Sequence, residues 1–388
     1  MCCAERESQR VILAAMQLKG LERVGKRLAT RAIAAFMGPP PKSGVRGARP
    51  DWRDRQYRVL FLRHDRIGDM ILTTGVLRAI AESHPTIQLD VLASTINAPV
   101  LRNESYVHEV IPFDRNAPLA FPRVARELRR RQYDAVIDCM VTAPSLTTLL
   151  LMLASGARHR IGVAERGNDF AYTLPVPSRE SATHIVDKLG ALVTAFGLQP
   201  TACDLRPQLH LTAEERAWGE RAWAAAGSHR PRALRLLVNV SAGRAFRFWP
   251  NERFVDVIRR ARARHSAIDV VLIASPNEAE RARQIANATS TVWVATPSVR
   301  DAFALVATSD AVFTPDTSIA HAATAFEKSA VVMFVRHMSA LWAPYRAAAG
   351  TTLESATDTL EPISADLAAD ALLRVLDAAS FGAARRDA

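Results

Sequence analysis

Three short polar stretches, each at the end of an apolar run, hold the side chains best suited to chemistry. In the first, "RHDRIGD", His64, Asp65 and Arg66 lead into Gly68 and Asp69 at the mouth of a helical pattern. Asp69 stands where helix caps stand, and Asp is a favoured cap. The loop carries more polarity than a cap requires, which leaves open a carboxylate held up for chemistry. In the second, "VSAGRAFRFWP", the small residues Ser241, Ala242 and Gly243 let a ligand approach the backbone closely. Arg244 and Arg247 can grip phosphate oxygens through paired N–H donors. The third, "TPDTSIAHAATAF", spans residues 314–326. There Asp316, Thr317 and Ser318 open a helix whose free N–H groups and dipole favour an anion. His321 lies one turn further on an alanine-rich helix, a position that serves core packing or ligand contact.

Absences narrow the chemistry. Only Gly68 stands where a dinucleotide fingerprint needs three glycines, so the first loop is poorly made for a pyrophosphate. No Asp-x-Asp pair, P-loop, serine nucleophile elbow or histidine-rich metal cluster occurs. A resident metal is therefore not expected.

The elements that must position these loops alternate between strand and helix. "RVLFL", "IQLDVLA", "HEVIPF", "YDAVIDCM" and "RHRIGVA" read as buried strands, with helical patterns between most of them. The rhythm blurs after residue 174, where one further helix is expected near 184–196. It restarts at "LRLLVNV" and continues through "IDVVLIA", "TVWVA", "AVFT" and "SAVVMFV". Such alternation marks a parallel sheet wrapped by helices. Ligands of open parallel sheets sit beyond the carboxyl ends of the strands, so two such units in tandem imply a shared cleft. The expected division is an extension over 1–55, a first domain over 56–205, a connection over 206–233 and a second domain over 234–388.

At 388 residues the chain exceeds what one hydrophobic core usually serves. A net charge of +11, carried almost wholly by arginine, favours anionic partners. No zinc-finger spacing, RNA-binding aromatic signature or basic repeat accompanies it, so nucleic acid is not an expected partner. No stretch of ~18 uninterrupted apolar residues offers a membrane span, and no secretory signal is recognisable. Four scattered cysteines suit a reducing cytoplasm. Residues 9–37 read as a basic amphipathic helix, followed by the linker "GPPPKSGVRGARP". Such a helix can lie on an anionic membrane surface, which would make the protein peripheral to the inner membrane, or pack on its own protein.

The stretches "RHDRIGDMILTTGVLRAI", "SAGRAFRFWP" and "PDTSIAHAATAFEKSAVVMF", in this order, resemble glycosyltransferase family 9, the bacterial lipopolysaccharide heptosyltransferases. The resemblance covers residues 57–350 or so and excludes 1–55. It implies a GT-B fold, in which the first of two Rossmann-like domains holds the acceptor and the second the nucleotide-sugar. It further implies inverting, metal-independent transfer of a sugar, heptose from ADP-heptose first of all, onto a glycan or lipid-linked acceptor. Asp69 matches the family's proposed catalytic base. Arg247, Asp316, Thr317, Ser318 and His321 match the donor-phosphate side, with Ser241 and Arg244 beside them. Glu278 matches a position that can hold the donor ribose. Three positions depart from the family pattern: Ser318 and Val335 replace glycines, and Gly75 replaces a proline. These departures keep two rivals open, the same fold with another nucleotide-sugar and a nucleotide- or glycan-binding protein without catalysis. A membrane-surface scaffold built on the basic helix is a third.

Overall fold

The computed structural model describes residue 33 and residues 49–386, apart from 165–168, 180, 228–232 and 348–349. The helix expected over 9–37 lies outside the described residues except at Ile33, which packs on a core cluster of the first domain. No described helix is long and apolar enough to cross a membrane.

Two parallel six-stranded sheets organise the chain. The first contains β1 (Tyr57–Arg63), β2 (Ile87–Ser94), β3 (Glu109–Phe113), β4 (Ala135–Asp138), β5 (His159–Val163) and β6 (Leu174–Val176), in the order β3-β2-β1-β4-β5-β6. The second contains β7 (Leu234–Asn239), β8 (Ile268–Ile273), β9 (Val292–Trp293), β10 (Ala311–Pro315), β11 (Ser329–Phe334) and β12 (Gly350–Glu354), in the order β12-β11-β10-β7-β8-β9. The opening strand of each sheet lies at its centre, where the strand order reverses. Connections leave such a switch point in opposite directions and open a crevice beyond the strand ends. The "RHDRIGD" and "SAGRAFR" loops leave from these two places.

The edge strands are where pattern reading falls short. β6 has no counterpart among the expected strands, because Pro175 interrupts its pattern and fits only an edge position. β12 is also an edge strand and half-exposed, so it lacks the apolar run that marks a central strand. Only Val292 and Trp293 of "TVWVA" pair in the sheet. The helix near 184–196 becomes a short α-helix followed by a 3₁₀ segment over Gly190–Phe196.

The helices of the first domain are α1 (Ile67–Ala81), α2 (Ala120–Arg131), α3 (Leu146–Ser155) and α4 (Ile185–Leu189). The connection holds α5 (Ala213–Ala225). The second domain holds α6 (Asn251–Arg264), α7 (Ala279–Thr289), α8 (Val299–Ala307), α9 (Ser318–Ala325), α10 (Ser339–Trp342) and α11 (Ala365–Arg386). α1 is buried on nearly every side, as expected of a helix with apolar residues all round. It packs both in its own domain and against α9 of the other. Met70, Val76 and Leu77 therefore share one core cluster with Phe303, Ile319 and Ala323. The hydroxyls of Thr73 and Thr74 are satisfied by the carbonyls of Asp69 and Ile71, which lets them be buried there.

A charged tie closes the connection. Arg300 on α8 donates to both carboxylate oxygens of Glu215, at 2.8 and 2.6 Å, and to the His210 carbonyl at 2.6 Å. These bonds hold the Glu215 carboxyl down to about 2. A carboxyl lowered on folding stabilises fully above its ordinary value of 4.5 and loses that contribution as pH falls through about 2. Glu215→Gln is expected to melt below the parent at pH 7, with the gap narrowing as pH falls through this window. Circular dichroism melts at stepped pH check it.

Candidate active site

Asp69 is not the cap of α1. The N-cap position belongs to Arg66, which makes no side-chain capping bond, and Asp69 is the third helical residue. Its carboxylate is largely buried and has Arg63 beneath it, Nη2 lying 3.5 Å from Oδ1. Arg63 is the last residue of β1 and is itself buried. His64 is turned away into the first domain, with Nε2 3.1 Å from Thr148 Oγ1, and burial lowers its pKa. Burial raises the pKa of Asp65, which pairs with Arg63 at 3.3 Å.

The second loop is built as a scaffold. Asn239 ends β7 and accepts from the Ser241 N–H through Oδ1, while its Nδ2 donates to Thr314 and Thr317 at 2.9 and 3.0 Å. One buried amide thus joins the second loop to the third. Ser241 Oγ accepts from the Ser275 N–H at 2.6 Å. Glu278 accepts from the Ala242 N–H at 3.0 Å and from the Ser275 hydroxyl at 2.8 Å. Both Glu278 oxygens thereby hold the small-residue loop in place. Arg281 reaches under the same loop, donating to Asn251 and to the carbonyls of Val240 and Trp249. Arg244 is exposed at the rim.

Arg247 is engaged with Asp316. Its Nη1 donates to the Asp316 carbonyl at 2.6 Å and its Nη2 lies 2.7 Å from Oδ2, while Nε is buried with no partner. Burial lowers the pKa of Arg247 and raises that of Asp316, their mutual attraction opposing both shifts. Thr317 caps α9, its hydroxyl accepting from the Ile319 N–H. Ser318 is the first helical residue and has no positive φ, so the serine at this departure causes no backbone strain.

His321 sits in the seam between the domains. A Cβ added at Gly68 would lie 2.7 Å from His321 Cδ2, so the glycine is what lets the two loops meet. Burial pushes the His321 pKa down to about 4 and keeps the ring neutral near pH 7; the Asp69 charge acts in the opposite sense. Its Nδ1 is buried without a partner. The Asp69 charge acts on Asp316 and Arg247 as well, which brings the first-loop carboxylate and the second-domain cluster to one place. Side-chain types alone do not mark Arg63, Asn239 or Arg281 as members of this site. The available signal is a polar residue closing an apolar strand at a switch point, which Arg63 and Asn239 both do.

Among the described residues, Asp90, His108 and Glu109 come close enough together to share an ion. Asp90 already accepts from Tyr133 at 2.7 Å, and Glu109 is clasped by Arg131 at 2.5 and 2.6 Å. The group is an ion-pair network on β2 and the start of β3.

The family model described as glycosyltransferase family 9 (heptosyltransferase) matches residues 121–361. Lipopolysaccharide heptosyltransferase 2 of Escherichia coli (strain K12) is 24% identical over 298 residues, covering 71% of this chain and 82% of the relative. Among solved structures, a family 9 glycosyltransferase from Veillonella parvula DSM 2008 superposes with a TM-score of 0.73 at 16% identity, over 84% of this chain and 98% of that one. E. coli heptosyltransferase WaaC, solved with ADP, gives 0.65 at 17% identity, over 83% and 99%. Those structures support the GT-B architecture of paired parallel sheets. With the family match running from α2 of the first domain through both donor-side loops, the chain is a glycosyltransferase and belongs to family 9, the heptosyltransferase family.

Proposed function

We propose that the protein moves heptose from ADP-heptose onto a lipopolysaccharide-type glycan acceptor, with inversion and without a metal. The observation that carries this reading is the convergence of the Asp69 carboxylate with Arg247, Asp316 and the capped start of α9 at one seam. Asp69 takes the proton of an acceptor hydroxyl as its oxygen attacks the anomeric carbon. The bond from that carbon to the departing ADP breaks in the same displacement, so the anomeric centre inverts. Arg247 and the positive dipole end of α9 take up the charge growing on the diphosphate, a role a metal fills elsewhere. The relatives' names, heptosyltransferases and one solved with ADP, favour this donor.

Departure Ser318 supports one second reading, the same chemistry with another nucleotide-sugar, because a side chain at the helix start changes how a phosphate approaches the backbone. A calorimetric screen of ADP-, UDP- and GDP-sugars, with and without EDTA, separates the two. ADP-heptose should bind best and EDTA should change nothing; preference for another nucleotide selects the second reading, and reversible loss with EDTA ends the metal-free mechanism. Arg247→Ala should weaken donor binding ~10- to 100-fold, since a charge-assisted contact contributes ~1.5–3 kcal/mol.

A further inference from the structure

Arg63 is an unusual expenditure for a structural residue. A guanidinium buried at 4% exposure needs partners for five N–H groups. Nε and Nη2 donate to the Asp69 carbonyl, at 3.2 and 3.0 Å, and Nη2 also faces Asp69 Oδ1 at 3.5 Å. Nη1 donates to Cys139 Sγ at 3.3 Å and faces Asp65 Oδ2 at the same distance. All three nitrogens are thus used at the first turn of α1 and the carboxylates that flank it. The Cys139 thiol is buried, donates to the Leu62 carbonyl at 2.8 Å, and closes the far side of the clamp. No helix of this length needs a buried cation to start it, and the Asp69 carbonyl already receives the Thr73 hydroxyl at 2.7 Å.

We infer that Arg63 is the positioning residue of the Asp69 carboxylate, aiming it into the seam as its counter-charge, and that Asp65 moderates this by drawing on the same guanidinium. The inference rests on Asp69 being the base. Two carboxylates sharing one cation oppose each other's ionisation, while the cation favours both. Among the described residues, the other charged or titratable groups that interact with Asp69 are Arg247, Asp316 and His321 from the second domain. None of these is altered by changing Arg63 or Asp65.

The test is the pH–rate profile of sugar transfer by the full chain, with the donor found by the nucleotide-sugar screen. Arg63→Met should move the acidic limb of kcat upward by about one pH unit, and Asp65→Asn should move it downward. Arg63→Lys keeps the charge but loses the fork, so the limb should stay while kcat falls about tenfold or more and donor KM is unchanged. Limbs that do not move in Arg63→Met and Asp65→Asn overturn the inference. Should Arg63→Met not fold, the limb of Asp65→Asn decides alone. Asp69→Asn separates the two ideas: undiminished turnover there removes the base reading and this inference with it. Loss of turnover there, together with unmoved limbs in the others, removes only the inference.

Discussion

Asp69→Asn is expected to lower turnover at least ~10²-fold while donor binding and melting temperature stay close to the parent values. The substitution keeps size and shape and removes the charge that accepts the proton. Structural cost is small because Asp69 does not cap its helix. Its carbonyl, not its carboxylate, takes two bonds from Arg63 and one from Thr73, and these survive in Asn. The lost charge near the start of α1 costs ~0.3–1 kcal/mol through the helix dipole. The 3.5 Å pairing with Arg63 is lost too, but Asp65 keeps a carboxylate 3.3 Å from the same guanidinium. Steady-state kinetics beside thermal melts decide the matter. A large drop in melting temperature with near-normal turnover would make Asp69 a structural residue of α1.

The second large effect is on stability. Gly75→Ala should destabilise the protein by on the order of 3 kcal/mol or more, read as a lower denaturation midpoint. An added Cβ would lie 2.2 Å from the Leu205 carbonyl oxygen and 2.8 Å from that of Arg206. Both neighbours are backbone, which cannot swing aside as a side chain does. The connection is also fixed there, since the Gln208 N–H donates to Thr74 Oγ1 at 3.0 Å. α1 and the connection would have to separate, and α1 carries Asp69. Turnover should fall with stability. A variant with the parent's midpoint would show that the connection can shift at small cost.

Gly75 also shows what sequence reading reaches. As a sequence position it is a departure from the family's proline, with no reason attached. Its reason is a chain segment 130 residues away lying against the helix, which no local pattern encodes. Val335 is similar, a departure that turns out to be a buried member of the second domain's core.

The sequence by itself determined the two alternating domains, their central strands and the three loops. Strand and helix periods are local, and a polar loop after a buried run stands out wherever it is later placed. It also marked Asp69, Arg247 and Asp316 by residue type. Tertiary structure alone decided which of these act on one another. The Arg247–Asp316 pair, the His321 ring against Gly68, and the Arg63 clamp under Asp69 each join residues from different elements. Their energies depend on distance and burial, and both are properties of packing: the same His321 that could be solvated on an isolated helix is forced neutral once two domains close around it.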